Sequence, residues 1–87
     1  MYGRCELCGK YGALEKHHIF GASNRKKSER LGLTIMLCHY CHNEPPYGVH
    51  FNKEIRLRLQ AETQKKFMEE CDLTTEDFIR IFGRNYV

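Results

Sequence analysis

Ten side chains carry most of the reactive chemistry in this 87-residue chain: histidines at 17, 18, 39, 42 and 50, and cysteines at 5, 8, 38, 41 and 71. The cysteines give the more specific signal. Cys5 and Cys8 form one Cys-x2-Cys pair, Cys38 and Cys41 a second, and Cys71 stands alone. Four thiolates in two such pairs suit one tetrahedral structural Zn2+. A secreted disulfide scaffold fits poorly, because the count is odd and Met1-Tyr2-Gly3-Arg4-Cys5 contains no apolar signal segment. Gly9, directly after Cys8, suits a knuckle in which backbone amides turn toward sulfur. A chain of this length buries only about 60% of its surface, and an ion closing a long loop adds folding energy directly. Cys71 reads as a small buried hydrophobe.

The histidines cluster as His17-His18, His42-Asn43 and His50-Phe51-Asn52. An ion joining the two knuckles forces the segment before the central loop close to the segment after Cys41, so His17 or His18 can face His42. That is enough for an imidazole metal site and an imidazole general base. A divalent ion on two or three neutral ligands stays an open Lewis acid, suited to gripping a scissile phosphate and its leaving oxygen. A free imidazole, with a pKa of about 6.5, can take a proton from water near neutral pH. The chemistry expected is metal-assisted phosphodiester hydrolysis. In a regular strand residues 17 and 18 point to opposite faces, so using both in one site requires a strand end, which Gly21 allows.

The positioning elements can be read coarsely. Gly9 to Gly12 is expected as a turn, Ala13 to Phe20 as a short strand, and Gly21 to Gly32 as a polar basic loop with a helical turn near Ser28–Arg30. Leu33 to Leu37 reads as a second strand that delivers Cys38. Cys38 to Glu44 reads as a short helix stopped by Pro45-Pro46. A long helix is expected over about 50–70, supported by Glu54/Arg58 and Glu62/Lys66 four apart. Phe51, Ile55 and Leu59 share one side of it, and Leu57, Ala61 and Met68 nearly the other, so two sides need cover. A short helix over 74–83 could supply that cover, with Thr74 and Asp77 as a capping box and Gly83 as the stop. A second copy of the chain could do so equally.

Hydrophobic residues at 41% and ten Tyr and Phe side chains exclude a wholly disordered chain. No stretch reaches the ~18 apolar residues of a membrane span. The expectation is one small, soluble, intracellular α+β domain over 1–87, stabilised by zinc. Net charge is +3, and four zinc-bound thiolates would bring it near +1, too little to attract nucleic acid by itself. Seven basic and three acidic residues fall within 1–30, however. Arg25, Lys26, Lys27 and Arg30 form a run that can meet a phosphate backbone.

Cys5-x2-Cys8, Glu15-Lys16-His17-His18-Ile19, Asn24 and Leu37-Cys38-x2-Cys41-His42-Asn43 together resemble the HNH endonucleases, the ββα-metal nucleases with a four-cysteine zinc site. The resemblance spans 5–52. His17-His18-Ile19-Phe20-Gly21, the basic loop and Gly48-Val49-His50-Phe51-Asn52 are similar to the small HNH proteins of bacteriophages and prophages, including the phage recombination-enhancing, RecA-dependent nuclease family. The resemblance implies a ββα-metal core followed by the long and short helices. It implies His18 as general base, His17 and His42 as ligands of a catalytic divalent ion (Mg2+, Mn2+, Ni2+ or Zn2+), and Asn24 as the residue that braces the loop and orients the base. Family members often carry a further His or Asn about four residues after the second ligand. Here that position is Pro46, so His50 or Asn43 must supply the function. The partners implied are DNA and a recombination or other phage or host protein, or a second subunit, in the cytoplasm of a bacterial host, with no membrane. Two other classes compete with this reading. A zinc-knuckle module that binds nucleic acid without cutting gives no role to His18, and a structural or protein-interaction domain would use the second apolar stripe of the long helix.

Overall fold

Short extended segments separated by glycines build the N-terminal half of the chain, and one long helix followed by a short amphipathic one builds most of the C-terminal half. The computed structural model describes all 87 residues. Strands β1 (Tyr2–Arg4) and β2 (Tyr11–Ala13) pair antiparallel, with Gly3 opposite Gly12. Cys5 and Cys8 lie in the turn between them, where Gly9 adopts φ 77°, a conformation open to glycine at little cost. This ladder replaces the simple turn expected for Gly9–Gly12. Tyr2 and Tyr11 favour extended backbone, and pairing satisfies amides on both sides of the cysteine turn.

Strand β3 (Glu15–His18) pairs antiparallel with β4 (Thr34–Leu37), placing Glu15 opposite Leu37 and His17 opposite Ile35. The expected strand over 13–20 is therefore divided: Ala13 belongs to β2, and the Leu14 N–H donates to the Met1 carbonyl. The connection expected as a loop folds into a single 3-10 turn (Ala22–Asn24) and helix α1 (Arg25–Arg30). Buried Ser28 anchors α1, its Oγ accepting from the Phe20 N–H at 3.1 Å and donating to the Phe20 carbonyl at 2.7 Å.

Helix α2 (His39–Asn43) begins on Cys38 and stops before Pro45. Helix α3 (Lys53–Cys71) begins three residues later than His50, because the Asn52 side chain caps it by accepting from the Ile55 N–H at 2.9 Å. Its end corrects the reading of Cys71. Asp72 turns left-handed at φ 52° and sends Leu73, not Cys71, into the interior, so Cys71 is exposed. Helix α4 (Thr75–Phe82) carries a closed capping box, with Thr74 Oγ1 accepting from the Asp77 N–H at 3.1 Å and Asp77 Oδ2 accepting from the Thr74 N–H at 3.0 Å.

Two buried clusters hold these elements together. Ile19, Phe20, Phe67, Phe78 and Phe82 form one; Cys5, Leu37 and Val49 form the other; Ile35 and Leu59 pack against both. Burying one such phenylalanine stabilises the fold by about 1.5–3 kcal/mol, so the aromatic cluster is the main adhesive for α3 and α4. Helix α4 thus covers α3 through Phe67 and Met68. Of the two expected stripes, Phe51 and Leu57 remain exposed, Phe51 because it lies in the turn before the helix. Buried Gln64 ties down the C-terminal tail, donating to Asn85 Oδ1 at 2.7 Å and accepting from the Tyr86 N–H at 2.7 Å. The result is a small α+β fold of two two-stranded sheets and four helices, in which no helix is long and apolar enough to cross a membrane.

Candidate functional site

Two groups of metal-ligating side chains converge, one of sulfur and one of nitrogen. The sulfurs of Cys5, Cys8, Cys38 and Cys41 all lie within 4.8 Å of one another, with 3.8 Å between those of Cys8 and Cys38. Four sulfurs at ~2.3 Å from a central Zn2+ stand about 3.8 Å apart along the edges of the tetrahedron, so the donor set fits. The Cys8 N–H points at the Cys5 sulfur and the Cys41 N–H at the Cys38 sulfur, each at 3.5 Å. Glu6 joins the two knuckles: its N–H donates to the Met36 carbonyl at 3.1 Å, and its carboxylate accepts from the Met36 N–H at 2.7 Å. Burial raises the Cys5 thiol, but the backbone N–H groups of Cys8, Cys38 and Leu7 outweigh it and bring the pKa to about 6. Burial, then hydrogen bonds with Cys38, Cys8 and Cys5, push the Cys41 thiol up. Like charges this close cannot all form without a cation. The four cysteines can therefore hold a structural metal such as zinc.

The second group is His17, His42 and His50, whose ligating nitrogens also lie within 4.8 Å of one another. Each comes from a different element. Strand β3 turns His17 inward, where it is 5% exposed. Helix α2 presents His42, and the turn before α3 presents His50. Ring centroids stand 5.1 Å apart for His17 and His42, 4.9 Å for His17 and His50, and 4.6 Å for His42 and His50. Gly48 makes the delivery of His50 possible, because a Cβ there would sit 2.7 Å from the Glu44 nitrogen and 2.8 Å from its carbonyl oxygen. The turn is pinned to α2 by the Val49 N–H on the Cys41 carbonyl at 2.8 Å and the His50 N–H on the His42 carbonyl at 3.3 Å.

Glu15 braces one member of this trio. Its Oε1 accepts from His42 Nδ1 at 2.8 Å and from the Asn43 amide at 3.1 Å, while Oε2 meets His39 Nδ1 at 3.1 Å. His42 first, then His39, hold the Glu15 carboxyl below the usual range. An ionised carboxylate only accepts, so His42 Nδ1 is the donor in this contact and Nε2 is the ring nitrogen on the side away from Glu15. That Nε2 lies 2.9 Å from His50 Nε2. His17 Nε2 is the one buried side-chain nitrogen or oxygen without a hydrogen-bond partner. Burial, then the neighbouring His50 and His42 charges, lower the His17 pKa to about 4, and burial followed by His42 lowers that of His50. Leaving such an atom unpaired costs about 1–3 kcal/mol. Neutral imidazole nitrogens facing a common point are a donor set for a borderline divalent cation.

His18 leaves β3 on the other side from His17, yet both line one cleft of about 560 Å³. Its Nε2 lies 2.8 Å from Glu29 Oε2, and Lys16 Nζ lies 3.0 Å from Glu29 Oε1. Lys16 first, then His18, hold the Glu29 carboxyl below its ordinary range. By the same logic His18 Nε2 is the donor in its contact with Glu29. The expected brace, Asn24, is elsewhere: its amide donates to the Phe82 carbonyl at 2.8 Å. Asn24 stands at the start of α1 beside the end of α4, where helix carbonyls lack intrahelical partners. Asn43 donates to Glu15 and its amide nitrogen lies 3.1 Å from His42 Nδ1, whereas His50 brings a ring nitrogen to those of His17 and His42. Of the basic run, Arg25, Lys26 and Arg30 are exposed, while Lys27 is half-buried and donates to the Ile81 carbonyl.

Glu15 and Glu29, the carboxylates that meet His42 and His18, are the residues of this candidate site that the sequence reading does not assign. Glu15 had a signal, since it lies two residues before His17 and therefore on the same face of a strand. Glu29 had none, because its approach to His18 depends on α1. Compared with known protein families, curated proteins and solved structures, the chain gives no match.

Proposed function

We propose that this chain is a metal-dependent DNA endonuclease of the HNH, ββα-metal type, acting in phage or prophage DNA processing or recombination. The observation that carries the reading is the convergence of three imidazole nitrogens, one of them buried and unpartnered, beside a fourth histidine held by a carboxylate. The order of a β3–β4 hairpin followed by α2, with a four-cysteine cluster at its base, supports the same reading, as does the sequence resemblance.

His17, His42 and His50 would hold the divalent ion. When bound, such an ion supplies Lewis acidity at the scissile phosphate and its leaving oxygen. Glu15 holds His42 by Nδ1, leaving Nε2 for the ion. His18 accepts a proton from the attacking water at Nδ1, and Glu29 steadies the imidazolium that forms. The HNH resemblance implies 5′-phosphate and 3′-hydroxyl ends. A zinc ion on Cys5, Cys8, Cys38 and Cys41 would tie the β1–β2 turn to the junction of β4 and α2, and Arg25, Lys26 and Arg30 contact DNA phosphates.

The test is cleavage of supercoiled plasmid, linear duplex and single-stranded DNA by zinc-loaded protein with added Mg2+, Mn2+ or Ni2+. Cleavage of at least one form that depends on the added ion is expected. Zinc-loaded protein that cuts none of them with any of these ions contradicts the proposal.

A further inference from the structure

We propose that the cleft beside the histidines is a binding track for the phosphodiester backbone of a nucleic acid strand, with Lys53, Arg56 and Arg84 as its phosphate contacts. This rests on the hydrolytic reading above and adds the surface that would lead the strand to the site. The cleft of about 560 Å³ is lined by His17, His18 and His50 together with these three cations, and no carboxylate lines it. None of the three is ion-paired, in contrast to Lys16, Lys66 and Arg80, which meet Glu29, Glu70 and Asp77.

Two of the three cations, Arg56 and Arg84, are anchored by contacts, while Lys53 is exposed. Lys53, Arg56 and Gln60 stand at i, i+3 and i+7 on one face of α3, a span of about 10 Å. Arg56 is half-buried and anchored by one nitrogen to the Val49 carbonyl at 3.1 Å, leaving the rest of its fork for an anion. Arg84 lies 4.7 Å over the Tyr86 ring, which itself packs 4.9 Å from Phe20, and Gln64 fixes the tail that carries both. Lys53 opens α3, where the helix dipole disfavours a cation, so helix stability does not account for it. A cleft that carries three cations, three imidazoles and no carboxylate matches the repeating negative charge of a phosphodiester chain.

The experiment is fluorescence anisotropy with labelled duplex and single-stranded DNA of one sequence, using zinc-loaded protein and no other divalent ion, over a range of salt. The Lys53→Ala/Arg84→Ala protein should keep the wild-type thermal midpoint yet bind about tenfold or more weakly. Its salt slope should fall by about 1.8 on duplex or about 1.4 on a single strand, corresponding to two lost phosphate contacts. Arg25→Ala/Lys26→Ala, which removes two exposed α1 cations outside the cleft lining, serves as a comparator. Affinity and salt slope unchanged in Lys53→Ala/Arg84→Ala, or no salt-dependent binding by wild type, overturns the proposal. Binding lost in the double variant while wild type fails to cut with any ion leaves the track standing and removes the hydrolytic reading. Cutting by wild type with unaltered binding and cutting in the double variant does the reverse.

Discussion

His18 and Glu29, eleven residues apart in the chain, meet at 2.8 Å between Nε2 and Oε2. The contact ties the imidazole of β3 to a carboxylate of α1, with Nε2 as the donor. Under the proposed mechanism Glu29 is a positioning residue, acting through His18. Glu29→Ala should lower kcat by about 10²-fold with KM little changed, and Glu29→Gln, which keeps an oxygen acceptor, should recover part of the loss. Single-turnover and steady-state cleavage by the two variants checks this. Equal rates in Glu29→Ala and wild type count against the role.

Removing one sulfur should abolish the fold rather than trim it. Structural zinc contributes of order 10 kcal/mol in small domains, more than this chain's interior has in reserve. Cys38→Ala is expected to bind no zinc and to lose its cooperative thermal transition, and strong chelators should do the same to wild type. Calorimetry with metal analysis decides the matter; an unchanged midpoint in Cys38→Ala is the opposing result.

Glu15 should tune the imidazole trio without belonging to it. Carboxylates that orient a ligating histidine are worth about 10–100-fold in metal affinity. Glu15→Gln should therefore weaken Mn2+ binding by that range, and His42→Ala should weaken it further, while both retain one tightly held zinc. Calorimetric titration of zinc-loaded protein with Mn2+ measures both effects. Wild-type Mn2+ affinity in His42→Ala would remove His42 from the ligand set.

The Asp77 capping box gives α4 a pH-dependent anchor. The backbone and side chain of Thr74 hold the Asp77 carboxyl below its ordinary range, so its folded pKa lies below its unfolded one. Its contribution is fully present above the unfolded carboxyl range and is lost as pH falls through the folded value. The stability gap between wild type and Asp77→Asn should be constant from neutral pH down to about 5 and close below the usual Asp range of about 3.9. Urea melts at stepped pH follow it. A gap that widens on acidification has the wrong sign.

What was legible in the sequence was mainly local. The two Cys-x2-Cys pairs and the capping box at Thr74 and Asp77 each depend on residues within a few positions of one another. The β1–β2 ladder was not legible, because three-residue strands are too short to display a period. Helix α1 was hidden for a related reason: Arg25–Arg30 has no apolar stripe, and buried Ser28 fixes it to the backbone of Phe20. Once α1 is misread as a loop, Glu29 cannot be matched to His18. Asn24 could not be sent to its partner either, since Phe82 lies 58 residues further along. Cys71 fell to a left-handed turn at Asp72, a residue type that tolerates that conformation without announcing it.

The central claim, that His18 is the base of a metal-dependent phosphodiester hydrolase, is tested most directly by one rate comparison. Zinc-loaded wild type and His18→Ala, each purified free of contaminating nuclease, are given the same plasmid under single-turnover conditions at saturating Mn2+. The variant is expected to bind DNA and Mn2+ as wild type does and to cut about 10²–10⁴-fold more slowly, the usual worth of a positioned general base. A His18→Ala protein that cuts as fast as wild type contradicts the account.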